Sequence, residues 1–390
     1  MITIQKKEQC CGCGACFQSC PKQCITMEED SEGFRYPIVD RIKCVNCGIC
    51  DKVCPFVKCQ QPRNPLNVYA VYNNDDEIRL VSSSGGVFTY VAEQIICRGG
   101  IVFGVRFDEN WQAIFDYTET IEGLSVFRGS KYVQANVGHA YQEVERLLKQ
   151  NRLVMFTGTS CQIAGIKHYL RQEYENLLTV DVVCHGVPSP LVWRKYLDDV
   201  TNRHKDAVTN ISFRDKSTGW KHFSMVISSD NCDFYRSIYK ENVYFRAFMK
   251  NLTLRPSCYS CKAKSGSSGS DITIADFWGV ERVLPQLSDD KGISLLLINN
   301  TKANEFINWD RLSVIESDYQ TAQIMNRPLR ESVCRNPRRK HFFDNIHCVD
   351  SISSLLEFEL RPTVKQVLEQ RFFQYGGYVK RFIKRTLKIQ

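Results

Sequence analysis

The cysteine pattern of the stretch CCGCGACFQSCP at residues 10–21 is repeated in CVNCGICDKVCP at residues 44–55. Both stretches follow the spacing C-x2-C-x2-C-x3-C-P. Gaps of two residues wrap the backbone around one iron–sulfur cube, so that three thiolates reach three irons, and the longer step turns the fourth thiolate toward a second cube. The spacing therefore predicts two 4Fe-4S clusters. The first is assigned to Cys10, Cys13, Cys16 and Cys54, and the second to Cys44, Cys47, Cys50 and Cys20.

This doubled spacing is that of bacterial-type ferredoxins with two 4Fe-4S clusters. Zinc binding and a disulfide framework are the alternatives, but zinc sites use sets of four ligands without the doubled pattern. Residues 1–60 are predicted to form an α+β ferredoxin-like module, in which EDSEGFRYPIVD (29–40) joins the two halves as a hairpin. We interpret Cys11, Cys24 and Cys59, which lie outside the pattern, as spare or buried cysteines.

The composition indicates a packed globular protein in a reducing compartment. Of the 390 residues, 43% are hydrophobic and 11% aromatic. No apolar run approaches the ~18 residues of a membrane span, and the N-terminus lacks the apolar region of a secretory signal. Because disulfides are kept reduced in the cytoplasm, the 19 cysteines are better used as cluster or metal ligands. We expect a cytoplasmic protein.

The positive charge is concentrated at the C-terminus. The formal net charge is +8, yet eight basic residues and one acidic residue lie at 361–390, so the rest of the chain is nearly neutral. A general nucleic-acid footprint is not expected. Val379, Ile383 and Leu387 repeat every four residues among lysines and arginines, which predicts a short basic amphipathic helix. Such a helix can contact an anionic membrane surface, dock on an acidic partner, or cover the core as a solvated terminal helix.

Three segments follow the cysteine-rich module. Residues 68–190 alternate short β-rich runs with helical stretches, which predicts an α/β core. Residues 191–345 combine strand-like runs, a C-x2-C and helical stretches, and we interpret them as the second part of the same core. The chain is predicted to be more helical from about residue 301 onward, and residues 346–390 are predicted to form a helical, basic tail.

Seven motifs of this second part carry a resemblance. They are LVSSSGGVFT (80–89), RGGIVFGVRFD (98–108), RGSKYVQA (128–135), FTGTSCQIAGIKHYL (156–170), VDVVCHGVPSP (180–190), RPSCYSCK (255–262) and SDITIADFWGV (270–280). In this order they resemble the family of the beta subunits of coenzyme F420 hydrogenases and dehydrogenases, iron–sulfur flavoproteins that are also related to 7-hydroxymethyl chlorophyll a reductase. The resemblance runs from about residue 5 to residue 300.

The resemblance implies a mixed α/β core that binds FAD. Under this resemblance, two loops are candidates for flavin contacts, formed by Ser83, Ser84, Gly85 and Gly86 and by Ser130, Lys131 and Tyr132. From the residues alone, SSSGG before a helix offers hydroxyls and N–H groups to a pyrophosphate, but it is also typical of an ordinary serine cap. GSKY offers a charge and a phenol ring, but it is also typical of a surface turn.

Four further cysteines suggest a third 4Fe-4S cluster beside the flavin. Cys161 and Cys184 each follow a predicted strand, and Cys258 and Cys261 form the C-x2-C, so four thiolates can meet at the carboxyl ends of the strands. A structural zinc site and the absence of any metal are the alternatives. The family usually has TPCQ where this chain has TSCQ (159–162), and we expect the missing proline to loosen the turn. His185, next to Cys184, is a candidate catalytic proton donor.

These observations predict an electron-transfer enzyme. A reduced donor protein or partner subunit supplies electrons, which pass through the 4Fe-4S clusters to FAD and a small organic acceptor, either coenzyme F420 or another molecule. The alternative is a non-catalytic subunit that relays electrons to a partner enzyme. A weaker alternative is a structural cluster protein without flavin.

Overall fold

The computed structural model describes residues 1–202, 204 and 206–362. The basic amphipathic helix predicted for the C-terminal tail lies outside these residues. In chain order, the N-terminal module contains α1 (Ala15–Gln18), β1 (Ile25–Glu29), β2 (Arg35–Val39) and α2 (Ile49–Lys52). β1 and β2 pair antiparallel, which confirms the predicted hairpin. Gly14 and Gly48 begin the two short helices with a left-handed backbone (φ +72°), a conformation that favours glycine.

The strands that follow form one large and one small sheet. They are β3 (Asn67–Asn73), β4 (Ile101–Phe107), β5 (Ala113–Thr118), β6 (Val154–Thr159), β7 (Leu177–Val182), β8 (Asn210–Asp215), β9 (Ser224–Ser228), β10 (Asp233–Ile238), β11 (Ile272–Asp276), β12 (Ser294–Ile298) and β13 (Leu312–Ser317). The large sheet has the order β13-β3-β12-β11-β7-β6-β4-β5, and the small sheet has the order β10-β9-β8. The pairs joining β4, β6, β7 and β11 are parallel, and the other pairs of the large sheet are antiparallel.

The helices of the core cover these sheets. They are α3 (Asp76–Val81), α4 (Val87–Cys97), α5 (Ala140–Lys149), α6 (Ser160–Leu170), α7 (Pro190–Thr201), α8 (Val243–Met249), α9 (Val280–Val283), α10 (Tyr319–Met325), α11 (Arg339–Asn345) and α12 (Ile352–Leu360). Within the described residues, none of the helices is both long and apolar enough to cross a membrane.

The large sheet joins the two predicted halves of the core. Its strands come from both 68–190 and 191–345, and β12 pairs with β3 although the two strands are far apart in the chain. The run SLLLI of β12 is fully buried, as expected for a central strand covered on both faces. The mixed α/β architecture is therefore confirmed. β13 lies in the part of the chain that is predicted to be more helical, but its short run forms an edge strand against β3.

The first cysteine repeat packs directly on the core. Cys13 and Ala15 share a buried apolar cluster with Tyr141 of α5 and Ile163 of α6. Gly165 makes this approach possible, since a β-carbon there would lie 2.8 Å from Cβ of Cys13. The N-terminal module therefore lies against α5 and α6, at the side of the large sheet where β6 ends.

Candidate functional site

The thiols predicted for the first 4Fe-4S cluster lie together. Cys16 interacts electrostatically with Cys10 and Cys54, and Cys13 interacts with Cys16 and Cys54. Burial raises the pKa of the Cys16 thiol well above its ordinary value. Four thiols in a buried site repel one another as thiolates, and iron is the natural counter-charge for such a set. The donor set therefore fits a 4Fe-4S cluster.

The thiols predicted for the second cluster line one small cavity. Its walls include all four predicted ligands, namely Cys20, Cys44, Cys47 and Cys50. Cys20 comes from the first repeat, as the crossed assignment requires. This second site is close to solvent, because Cys47 is exposed and Cys20 and Cys44 are only half-buried. Cys16 and Cys50 interact electrostatically, so the two sites are neighbours.

The four cysteines of the predicted third site interact electrostatically with one another. Cys258 interacts electrostatically with Cys184, Cys161 and Cys261, and Cys184 interacts with Cys161 and Cys261. Burial raises the pKa of the Cys184 thiol to about 12. Lys264 donates to the backbone carbonyl of Cys184 at 2.6 Å and brings a positive charge to the group. The chemistry of this donor set again fits an iron–sulfur cluster.

Cys161 is held by the start of α6. Residue 160 is serine where the family usually has proline, and this difference predicts a looser turn. In the structure, the backbone N–H and the hydroxyl of Thr159 both donate to Oε1 of Gln162 at 2.9 Å, in a capping box. The Thr159 hydroxyl also lies 3.4 Å from Sγ of Cys161. The capping box thus holds the turn at Ser160, and the expected loosening stays a prediction.

Cys11 links the first site to the third group. It is buried, with 7% of its surface exposed, in agreement with its interpretation as a spare or buried cysteine. Its thiol interacts with those of Cys13 and Cys161. The spacing of Cys11 in the sequence does not predict this position. Its partner Cys161 is 150 residues away in the sequence and comes near only because the module packs on α6.

The two predicted flavin loops meet. The hydroxyls of Ser83 and Ser130 lie 3.1 Å apart, and the backbone N–H of Ser130 donates to Oγ of Ser83 at 2.8 Å. Ser84 donates to the carbonyl of Ile293. The amide of Gly85 donates to Ser294 at 3.0 Å and is thus not free for a phosphate. Gly86 precedes α4 with a left-handed backbone (φ +84°).

The side chain of Lys131 points to its own turn. Its ammonium group donates to the carbonyls of Val126 and Arg128 at 2.8 and 3.1 Å. Burial lowers the pKa of Lys131 to about 7. Lys131 therefore holds the loop in the conformation that presents Tyr132.

Arg214, on β8, ties the two loops to Asp276 of the SDITIADFWGV motif (270–280). Its guanidinium donates to the carbonyl of Ser83 at 2.8 Å, to the hydroxyl of Tyr132 at 3.1 Å and to both carboxylate oxygens of Asp276. Its Nε is buried and has no hydrogen-bond partner among the described residues. An orphaned donor between the two predicted loops fits a cofactor with a hydrogen-bond acceptor. The sequence carries no motif around residue 214 that would have identified it.

Aromatic rings complete this region. Trp220 donates to Oδ1 of Asp276 at 3.1 Å and stacks on Trp278 with ring centroids 4.7 Å apart and planes within 1°. Nearby, the ammonium group of Lys216 donates to the carbonyls of Ser84 and Lys291 at 2.9 and 2.7 Å. Lys216 therefore ties the SSSGG loop to the segment before β12.

His185 lies beside the third cysteine group, and its ring is occupied by other contacts. Its Nε2 is 2.6 Å from Oδ1 of Asn251, and its ring packs edge-on against Phe248 at 5.0 Å. Burial lowers the pKa of His185, which favours the neutral imidazole. The structure thus places His185 next to Cys184 with one nitrogen bound to an amide, and its role as a proton donor stays a prediction.

A cavity of about 360 Å³ lies between the first repeat and the core. The module contributes Gly12, Gly14 and Phe17 to its walls, and the core contributes residues 133–139 and Trp193. The core segment directly continues the GSKY loop. The volume of the cavity is within the range of small-molecule sites, and the lining of the cavity is mostly apolar. Sequence reasoning did not find this cavity, because its walls come from two separate domains.

Comparisons with known proteins agree with this architecture. Residues 151–318 match the family described as the C terminus of the beta subunit of coenzyme F420 hydrogenase/dehydrogenase, and residues 9–57 match the "4Fe-4S dicluster domain". Over 173 residues the chain is 25% identical to the F subunit of the F(420)H(2) dehydrogenase of Methanosarcina mazei, covering 41% of this chain and 48% of that protein. Over 54 residues it is 39% identical to an I subunit of the NADH-quinone oxidoreductase of Geobacter metallireducens, covering 13% of this chain and 41% of that protein.

One solved structure with a similar chain is the F420-reducing NiFe hydrogenase complex from Methanosarcina barkeri. The TM-score is 0.46 at 17% sequence identity, over 70% of this chain and 97% of that one. The matched stretch spans about half the length of the Methanosarcina mazei relative.

The site and the matching domain define the class: this is an iron–sulfur protein whose N-terminal dicluster domain holds two 4Fe-4S clusters. More particularly, residues 151–318 match the C-terminal domain of coenzyme F420 hydrogenase and dehydrogenase beta subunits, which confirms the resemblance seen in the motifs.

Proposed function

We propose that the chain is an iron–sulfur flavoprotein oxidoreductase that conducts electrons from a reduced donor to FAD and a small organic acceptor. The observation that carries the proposal is the continuous line of thiol sites. It begins at the exposed Cys47, passes the buried pair Cys50 and Cys16, and reaches Cys161 through Cys13 and Cys11. A structural protein has no need for such a line.

The line has a solvent end and a core end. At the solvent end, the second site is open to a donor protein or a partner subunit. At the core end, the thiols of Cys161, Cys184, Cys258 and Cys261 are held beside β6 and β7, and we propose that they bind a third 4Fe-4S cluster. Two donor molecules would each lose one electron for every acceptor, which gains two electrons together with protons from the solvent.

The flavin assignment rests on the meeting of the two loops. Arg214 joins Ser83 to Tyr132, and Ser83 contacts Ser130. The Nε of Arg214 is a buried donor without a partner among the described residues. In this proposal these residues bind and orient FAD, and the stacked Trp220 and Trp278 shield the region from water. When bound, FAD exchanges single electrons with clusters and electron pairs with organic molecules.

The cavity next to the first repeat supports a small organic acceptor. It is bounded by the continuation of the GSKY loop on one side and by Gly12 and Gly14 of the cluster-binding loop on the other. An acceptor there would lie next to the loop that carries the ligands of the first site. Coenzyme F420, which the family description names, is one candidate, and another heteroaromatic molecule of similar size is the other.

Anaerobic reconstitution with iron, sulfide and FAD tests the proposal. We expect about twelve irons per chain, since each cubane holds four, together with one extractable flavin. The matched variant Cys258→Ser should lose about four irons and keep the other eight. A wild-type chain with about eight irons and no flavin would contradict both the third cluster and the flavin assignment.

A second candidate function is a subunit that relays electrons to a partner enzyme without transforming a substrate. It is favoured by the relative of Methanosarcina mazei, which is named as a subunit of a dehydrogenase. Turnover by the isolated, reconstituted chain separates the two functions. Reduction of coenzyme F420 or another acceptor by the chain alone supports the enzyme, whereas electron transfer that requires a second subunit supports the relay.

A further inference from the structure

Arg255 connects the C-x2-C segment of the core to the first cysteine repeat. Its side chain is almost fully buried, with 1% of its surface exposed. Nε donates to the carbonyl of Cys10 at 2.8 Å, and Nη2 donates to the carbonyl of Arg35 at 2.9 Å. Nη1 donates to Oε1 of Gln134 at 3.0 Å, so the oxygen partners of the guanidinium are all neutral.

The closest group that can balance its charge is a thiol. Nη2 lies 3.6 Å from Sγ of Cys10, and the guanidinium also interacts electrostatically with Cys11 and Cys258. In the part of the chain that the structure describes, Arg255 has no carboxylate partner.

The other strongly buried arginines show how unusual this is. Three arginines with 5% exposure or less pair with a carboxylate at 2.7 to 2.9 Å. These pairs are Arg79 with Asp289, Arg214 with Asp276, and Arg339 with Glu32. Arg255 instead has the Tyr36 ring 4.3 Å from its Cζ and Sγ of Cys10 3.6 Å from its Nη2. Burying a cation without an anion costs several kcal/mol, and a cluster ligated through Cys10 would bring negative charge to this position.

We propose that Arg255 is a positioning residue that supplies the positive charge of the first 4Fe-4S site and makes that site easier to reduce. This inference rests on the proposed function only in that the Cys10, Cys13, Cys16 and Cys54 set holds a cluster. Adding an electron to a buried, negatively charged site is unfavourable, and a cation at a ligand sulfur offsets that cost.

Arg255 also sets the distance between the first site and the third cysteine group. Its backbone N–H donates to the carbonyl of Val187 at 3.0 Å, and Cys258 follows three residues later with its own N–H bonded to the carbonyl of Arg255. The side chain of the same residue is fixed to Cys10. One residue thus anchors the loop that carries Cys258 to the loop that carries Cys10.

The test compares Arg255→Gln, Arg255→Lys and the control Arg79→Gln in the full chain, reconstituted anaerobically. The midpoint potential of each cluster is followed by EPR during redox titration, and the signals are assigned with Cys16→Ser and Cys47→Ser. We expect Arg255→Gln to shift the potential of the first site to more negative values and to leave the second site unchanged. Arg255→Lys should shift it less, and Arg79→Gln should shift neither.

Two results would overturn the inference. One is an unchanged potential of the first site in Arg255→Gln with full iron content. The other is equal loss of the first cluster from Arg255→Gln and Arg255→Lys, which would show that shape rather than charge matters. Loss of the first cluster from Arg255→Gln with retention in Arg255→Lys would support it. A wild-type chain that reduces no acceptor would contradict the proposed function, while both potentials would still be measurable.

Discussion

The two cysteine repeats share one spacing but lie in opposite surroundings. Around the first repeat, Cys13 is packed against Gly165 of α6, and the buried Arg255 lies at Cys10. Around the second repeat, Cys47 is exposed, and the apolar side chains of Ile42 and Val45 are 98% and 59% exposed. The same ligand pattern therefore builds one internal site and one surface site.

In the proposed function, this difference indicates the end of the line of thiol sites at which electrons enter. The exposed side chains of Ile42 and Val45 are where a donor protein would dock in this proposal. Ile42 lies between Arg41 and Lys43, so an electron donor with an acidic surface would be attracted there. The internal site has no such access, and its neighbours are the Cys11 and Cys161 thiols. In the proposed function, the surface repeat thus receives electrons and the internal repeat passes them on.

The largest expected effect comes from removing one ligand of each repeat. Cys16→Ser and Cys47→Ser should each lose about four irons, because a cubane needs all its thiolates. Cys16→Ser should also lower the melting temperature of the chain more than Cys47→Ser does, since Cys16 is 9% exposed and packs in an apolar cluster. Iron content and thermal unfolding measure both effects.

The control for this pair is Cys97→Ser, an exposed cysteine on α4 remote from both repeats. It should keep all the iron and the wild-type melting temperature. Equal melting temperatures for Cys16→Ser and Cys47→Ser would break the contrast between an internal and a surface repeat.

The next largest effect should come from a steric change on α6, which affects the packing of the first repeat but not of the second. In Gly165→Ala, the new methyl group would meet the Tyr141 hydroxyl at 2.6 Å and Cβ of Cys13 at 2.8 Å. The module must then shift from the core, at a cost of about 1–3 kcal/mol in the free energy of unfolding. Denaturant unfolding measures this cost. The half-buried His168→Ala on the same helix is the control, and equal stability of the two variants would contradict the close packing of the first repeat.

The grouping of the cysteines and the core strands could be predicted from sequence, whereas the surroundings of the sites could not. The cysteine spacing is local, so it identified the thiols that line the second cavity, and the buried run of β12 is visible as SLLLI. Arg255, Arg214 and Cys11 contact residues that are distant in the chain, and no local pattern encodes such contacts. The contacts of Arg255 and Cys11 form only when the module packs on the core.

A pH effect that involves neither repeat sharpens the contrast further. Burial lowers the pKa of Lys216 to about 7, far below its value in an unfolded chain. Between about pH 7 and pH 10 the unfolded chain therefore binds more protons, so stability should rise with pH over this window. Below about pH 7 both states are protonated and the dependence should vanish.

Urea unfolding of the reconstituted chain at several pH values checks this expectation. Lys216→Met should reduce the rise by about half, because Lys131 has a pKa lowered to a similar value and contributes the rest. Lys43→Met, at an exposed position near the second repeat, should leave the rise intact. The iron content should stay constant across the window in all three proteins. A rise in Lys216→Met as steep as in the wild-type chain would assign the effect to other groups.

The smallest expected effect lies at the surface repeat. Ile42→Ser removes an exposed apolar side chain beside Cys44 without touching a ligand, so it should slow reduction by a protein donor only several-fold. A small acidic ferredoxin, reduced in advance, serves as the probe, and the rate of cluster reduction is followed by stopped-flow absorbance. Reduction by dithionite, which needs no docking surface, should be unchanged in the same variant. If Ile42→Ser slowed both reductants equally, the second repeat would have lost its cluster geometry, and if it slowed neither, the donor would not dock at this surface.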